Sequence, residues 1–193
     1  MATPAREKPL TVEEFDLLAE PIEGGKVELV DGRLARMTPV SGEHGALQAR
    51  IAAALIAHAD RERSGQVFVE AGFLLSRRPD VVRAPDVSFV AAERVPDRQA
   101  RRRGSLHLAP DLAIEVTSPT DNDSDVHRKV EEYLAAGTPR VWVVRPEWRS
   151  VTIHRPGGDA HTYHAGDTLT SDDAGFGAPG FELDLAALFA SIE

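Results

Sequence analysis

Residues Pro110 to Gly137 read PDLAIEVTSPTDNDSDVHRKVEEYLAAG, and the reading of this stretch decides the fold. Leu112, Ile114 and Val116 alternate with Ala113, Glu115 and Thr117, the period of two of a β-strand with one face of large aliphatics. Glu115 therefore falls on the opposite face. Ser118, Pro119 and Thr120 stop the strand, and the Asp/Asn run that follows offers N-caps for a helix over about Val126 to Ala136, which Gly137 ends. On that helix Val126, Val130, Tyr133 and Leu134 form one stripe. Lys129 lies at its edge beside Tyr133, while Arg128, Glu131 and Glu132 point away. A strand carboxylate and a lysine flanking the buried face of the next helix are thus placed where they can meet. Arg140 to Val144 is then a nearly continuous apolar run, suited to a buried strand beside the first and joined to it by the helix as a right-handed crossover.

Upstream, Thr11 and Glu14 are spaced as a capping box, with Leu10 and Phe15 as a hydrophobic staple, for a short helix through about Glu20. Lys26 to Val30 alternates, and Asp31-Gly32 turns the chain back through Arg33 to Thr38, giving a hairpin with Glu28 on its first strand. The longest helical pattern runs over about Glu43 to Arg63. Its face of Leu47, Ile51 and Leu55 also carries His44, Gln48 and His58. Gln66 to Leu75 is expected as one strand, and Asp86 to Val90, introduced by Ala84-Pro85, as another. Residues 93–105 read as a mobile loop and 1–9 as a flexible terminus. Downstream, Ser150 to Arg155 and His161 to Tyr163 predict a second hairpin, and Leu183 to Ala190 a closing helix.

Composition narrows the function. The chain of 193 residues, with 42% hydrophobic and 27% charged residues, is expected to form one domain spanning 1–193. With no cysteine, thiolate zinc sites, disulfides and cysteine nucleophiles are excluded. The absence of a long apolar run or signal-peptide core predicts a cytoplasmic protein with no membrane partner. A net charge of −9 argues against broad affinity for nucleic acid, yet the charge is uneven. The window Arg77 to Arg103 holds eight arginines against four acidic residues, a net +4 that leaves −13 for the remainder. Arg101, Arg102 and Arg103 are its candidate phosphate contacts.

Four ionisable residues stand where an α/β sheet exposes function: Glu28, Asp86, Glu115 and Lys129. Carboxylates arriving from neighbouring strands make an oxygen-rich site for a hard ion such as Mg²⁺ or Mn²⁺, and a nearby lysine positions water or offsets charge on a phosphoryl transition state. Structural readings compete. Glu28 also reads as a solvated strand residue, Asp86 as a strand-start residue after proline, and Lys129 as the i, i+4 partner of Asp125. Glu115 resists such a reading, because an unpaired carboxylate in an apolar strand is costly. His44 and Gln48 are candidate accessory residues. The trio of His154, His161 and His164 reads better as surface residues than as a metal site.

The succession VELVDGRL, SGEHG opening a long helix, APDVSFV, APDLAIEVTSPT, DVHRKVEEYLAAGTPRVWVV and PGFELDLAALF resembles the Uma-two family of the PD-(D/E)XK nuclease superfamily, over about Thr11 to Phe189. The resemblance implies an α/β (α+β) restriction-endonuclease-like core, a mixed sheet flanked by helices and carrying N- and C-terminal β-hairpins. It aligns Pro85-Asp86 with the PD element, Glu115 with the acid of the (D/E)XK element and Glu28 with the more N-terminal acid. Thr117 stands where the superfamily has lysine, and the resemblance implies that this lysine has moved to the next helix as Lys129. The implied activity is Mg²⁺-dependent cleavage of DNA, by a homodimer where both strands are cut. Asp86, Glu115 and the Val116 carbonyl would hold the ion, and Glu28 would bind it through water or complete a second site. A non-catalytic protein of the same fold, binding nucleic acid or a protein partner, is the alternative.

Overall fold

The structure is a computed structural model and describes residues 8–19, 26–37, 39–102, 104–119 and 121–192. The expected flexible terminus therefore lies outside the described residues up to residue 7. Helix α1 (Val12–Ala19) starts at the capping box: the Thr11 N–H donates to Glu14 Oε2 at 2.9 Å and the Glu14 N–H to Thr11 Oγ1 at 3.3 Å. Strands β1 (Val27–Val30) and β2 (Arg33–Arg36) form the hairpin across Asp31 and Gly32, whose φ angles of 51° and 71° are those an Asp-Gly turn supplies. Helix α2 (Gly42–Glu62) is capped by Ser41, whose hydroxyl accepts the His44 N–H.

The stretch expected as one strand over Gln66 to Leu75 is two: β3 (Gly65–Val69) and β4 (Phe73–Ser76), which belong to different sheets. Glu70, at φ 53°, breaks the strand between them. The short β5 (Val81–Arg83) precedes β6 (Val87–Ala91). Residues 93–105, expected as a loop, carry 3-10 turns at Ala92–Arg94 and Ala100–Arg102. Then come β7 (Leu112–Val116), α3 (Asp123–Ala135), β8 (Arg140–Arg145), the hairpin β9 (Ser150–His154) and β10 (Ala160–His164), β11 (Thr168–Thr170), α4 (Ser171–Ala174), β12 (Glu182–Asp184) and α5 (Leu185–Ala190).

The main sheet has the order β10-β9-β8-β7-β6-β3, with β7 and β8 parallel across the α3 crossover and the other pairs antiparallel. A second sheet, β2-β1-β5-β4, carries the N-terminal hairpin. All five residues of β7 are buried, and their alternation divides them between two cores. Leu112, Ile114 and Val116 pack with Leu47, Ile51 and Leu55 of α2 and with the C-terminal Leu185 and Phe189. Ala113 packs with Val130 and Tyr133 of α3 and with Val141 and Val143 of β8. The face that carries Ala113 also carries Glu115, so α3 covers it. No helix among the described residues is long and apolar enough to cross a membrane.

Candidate active site

The site is built at the end of the β6–β7 ladder. Val87 pairs with Ile114, so one step further along the antiparallel register Asp86 comes opposite Glu115. Pro85 cannot continue the ladder as a donor, and Asp86 instead uses its side chain: Oδ2 accepts the Val116 N–H at 2.7 Å. Its Oδ1 accepts from Lys26 Nζ at 3.0 Å, and His44 Nε2 stands 3.3 Å from Oδ2. The Asp86 backbone carbonyl accepts from Gln48 Nε2, which also reaches Glu70. Burial alone would raise the Asp86 pKa. The His44 side chain, the Lys26 charge and the Val116 N–H outweigh it and hold this carboxyl well below the usual range.

Glu115 faces α3. Its Oε2 accepts from Lys129 Nζ at 2.8 Å and its Oε1 from the Tyr133 hydroxyl at 2.8 Å. Lys129 and Tyr133 are four residues apart, one turn of helix, so both reach one carboxylate. Burial raises the Glu115 pKa, and the neighbouring Asp86 and Glu28 charges add to that rise. Lys129 and Lys26 offset it only in part. Burial opposes charge on Lys129 too, but Glu115 and Glu28 prevail and keep its pKa above the ordinary lysine value. The competing pair with Asp125 is not what the helix forms: Lys129 turns inward.

Glu28 is fully buried and its oxygens are engaged. Arg83 Nη1 donates to Oε2 at 2.7 Å, the Ala84 N–H to Oε1 at 3.1 Å, and Lys129 Nζ stands 3.6 Å away. The sequence reading expects Glu28 to bind an ion through water or complete a second site; in the fold its carboxylate is the buried anchor of Arg83 and Lys129. Arg83 in turn donates through Nε to Glu132. Three buried carboxylates, Glu28, Asp86 and Glu115, are thus matched by three cations, Arg83, Lys26 and Lys129.

Lys26, Arg83 and Tyr133 escaped the reading of the sequence as site residues. The period of two that placed Glu28 also places Lys26 on the same strand face, and Arg83 interrupts the apolar run VVRAP much as Glu115 interrupts LAIEV. Tyr133 was legible as core, but its hydroxyl gave no signal. The basic window, conversely, is divided: Arg83 belongs to the site, while other arginines of the window are engaged away from it. Arg77 is tied to Glu13 and Asp80, Arg83 is buried, and Arg94 is bound to Asp111. Arg101 donates to Gln66, whose register partner Val90 is four residues along β6 from Asp86, roughly 13 Å at about 3.3 Å per residue. Arg103 lies outside the described residues. Three of the eight arginines are thus spent on internal ion pairs, which a count of charges along the sequence could not reveal.

Among the described residues no three His, Asp or Glu side chains surround one point as a metal cage. Two carboxylates from adjacent strands are nevertheless hard oxygen ligands, and Mg²⁺ is commonly held by one or two carboxylates while keeping water and substrate phosphate as its other ligands. The raised pKa of Glu115 marks the negative charge that such an ion would neutralise. The carboxylates of Asp86 and Glu115 suit Mg²⁺ in this sense.

The sheet order, the α3 crossover and the paired carboxylates define a mixed α/β protein with a nuclease-like fold. The chain belongs to the Uma2 family, whose model matches residues 12–186 and carries the description "Putative restriction endonuclease". A crystal structure from Anabaena variabilis, described as a "putative nuclease belonging to DUF820", superposes with a TM-score of 0.77 at 22% identity, covering 96% of this chain and 100% of that one. That likeness is one of fold. No curated protein matches the chain at a significant level.

Proposed function

We propose that this chain is a Mg²⁺-dependent endonuclease that hydrolyses phosphodiester bonds of DNA. The observation that carries the proposal is the meeting of Asp86 and Glu115 across the β6–β7 register, with Lys129 at 2.8 Å from Glu115. Family membership supports the same reading. Asp86, Glu115 and the Val116 carbonyl would hold Mg²⁺, which when bound supplies Lewis acidity to a phosphoryl oxygen and lowers the pKa of water. Lys129, kept protonated by two carboxylates, donates rather than accepts hydrogen bonds. Its role is to orient the attacking water and to offset charge developing on the phosphoryl oxygens. Glu28 and Arg83 fix Lys129 from behind, and Tyr133 fixes the rotamer of Glu115. His44 and Gln48 position Asp86, through its carboxylate and its backbone carbonyl respectively.

A second reading has an observation of its own. Lys26 on Asp86 and Lys129 on Glu115 neutralise the two carboxylates within the protein, as befits a nuclease-fold protein that binds nucleic acid without turnover. One experiment separates the two: cleavage of single- and double-stranded DNA and RNA in Mg²⁺ or Mn²⁺, with Asp86→Ala as control. Metal-dependent cutting by the wild type that Asp86→Ala abolishes supports the enzyme. Binding without cutting in either metal supports the second reading.

A further inference from the structure

A cleft of about 210 Å³ opens beside the site, between the first turn of α2, the segment that follows β7 and the 3-10 turn Pro146–Trp148 after β8. That volume is on the scale of one planar heterocycle. Trp148 lines it and is 63% exposed, whereas the protein's other tryptophan, Trp142, is fully buried. Exposed at the cleft, Trp148 is a surface on which a base can stack. The Arg145 guanidinium lies 5.0 Å from the Trp148 ring centroid and is held there by Asp123 at 2.9 Å, which stiffens the platform. His44, only 5% exposed, also lines the cleft; its Nε2 stands 3.3 Å from Asp86, and neither ring nitrogen makes a hydrogen bond. One imidazole thus connects the cleft to the proposed catalytic carboxylate, with an unfilled polar atom. The remaining charge is acidic: Glu43, Asp121, Asp123 and Glu147 against Arg145. Such a lining repels phosphate and accepts hydrogen bonds from the N–H edge of a base.

We infer that this cleft binds one unpaired nucleobase of the substrate strand, next to the phosphate cut at Asp86, with the base stacked on Trp148. The inference rests on the nuclease reading for its substrate class, and it narrows that class to single strands or to duplexes with a nucleotide already unpaired. Extracting a base from an intact duplex costs unstacking and unpairing, whereas an unpaired base enters the cleft without that cost.

The test is a titration of the full chain in EDTA with a short single-stranded DNA and with a blunt duplex of the same sequence. It follows tryptophan emission and, independently, anisotropy of a dye on the DNA. The expected result is quenching on binding the single strand, with little on binding the duplex. Trp142, sealed in the core, contributes no such change. Trp148→Ala, at an exposed position, should keep the native circular dichroism and bind the single strand roughly tenfold more weakly, the low end of what a base–aromatic stack supplies. Trp148→Phe should restore most of the affinity. The inference is overturned if anisotropy reports a bound single strand while emission is unchanged, if Trp148→Ala binds it as tightly as the wild type, or if no single strand binds at all. Parallel cleavage in Mg²⁺ separates the two readings: cutting without quenching removes the base cleft and leaves the nuclease. Quenching without cutting leaves the cleft as a nucleic-acid site and removes the catalysis.

Discussion

Lys129 Nζ lies 2.8 Å from Glu115 Oε2 and 3.6 Å from Glu28 Oε1, although fourteen residues separate it from Glu115 along the chain. A lysine delivered by a helix thereby stands beside the acid of a strand. Lys129→Ala is expected to retain Mg²⁺ binding by calorimetry while losing about a hundredfold or more in the single-turnover cleavage rate. A variant that cuts at the wild-type rate would remove Lys129 from the mechanism.

Asp86 and Glu115 are expected to act together on metal and on cleavage. Asp86→Asn and Glu115→Gln should each abolish both the calorimetric Mg²⁺ signal and strand cutting. Their effects on stability should differ. Asp86→Asn strips Lys26 of its buried partner and should lower the unfolding free energy by about 3 kcal/mol, as broken buried pairs do.

The pH dependence of those two variants follows from opposite shifts. The folded-state pKa of Asp86 lies below its ordinary 3.8, so its ionisation favours the fold. That contribution is present in full above the ordinary value and is lost as pH falls through the folded one. The folded-state pKa of Glu115 is raised above 4.5, so the fold favours its protonated form; the stability this gives is present at lower pH and is lost as pH rises through the folded value. Urea denaturation from acid to neutral pH should therefore show the wild-type advantage over Asp86→Asn growing as pH rises. Relative to the wild type, Glu115→Gln should gain stability over the same climb.

Arg83 is the residue whose loss the fold should feel most. Arg83→Met leaves Glu28 fully buried with Lys129 as its remaining cation, and an expected loss of about 3–5 kcal/mol follows from the uncompensated charge. Adding Glu28→Gln should recover part of that loss, so a double-mutant cycle read by urea denaturation should be far from additive. Additive losses would mean that the pair is not energetically coupled.

What the sequence by itself determined are the features with local causes. The alternation of LAIEV placed Glu115 opposite Leu112, Ile114 and Val116, the stripe on the next helix placed Lys129 at its margin, and the Thr11–Glu14 box and Asp31-Gly32 turn fixed where elements begin and reverse. These depend on side-chain periods and on backbone groups a few residues apart, so neighbouring letters suffice. Tertiary structure alone decided the rest. Glu70 splits the stretch after α2 between two sheets, because pairing with β6 on one side and with β5 on the other outweighs the continuous β-propensity of residues 66–75. Three of the arginines that look like a phosphate-binding island are drawn into ion pairs with acids, three of which lie on distant segments, Glu13, Glu28 and Glu132. Lys26 becomes the partner of Asp86 across sixty residues of chain. Charge is long-ranged and indifferent to sequence order, so which cation meets which carboxylate is settled by the sheet register that brings the strands together.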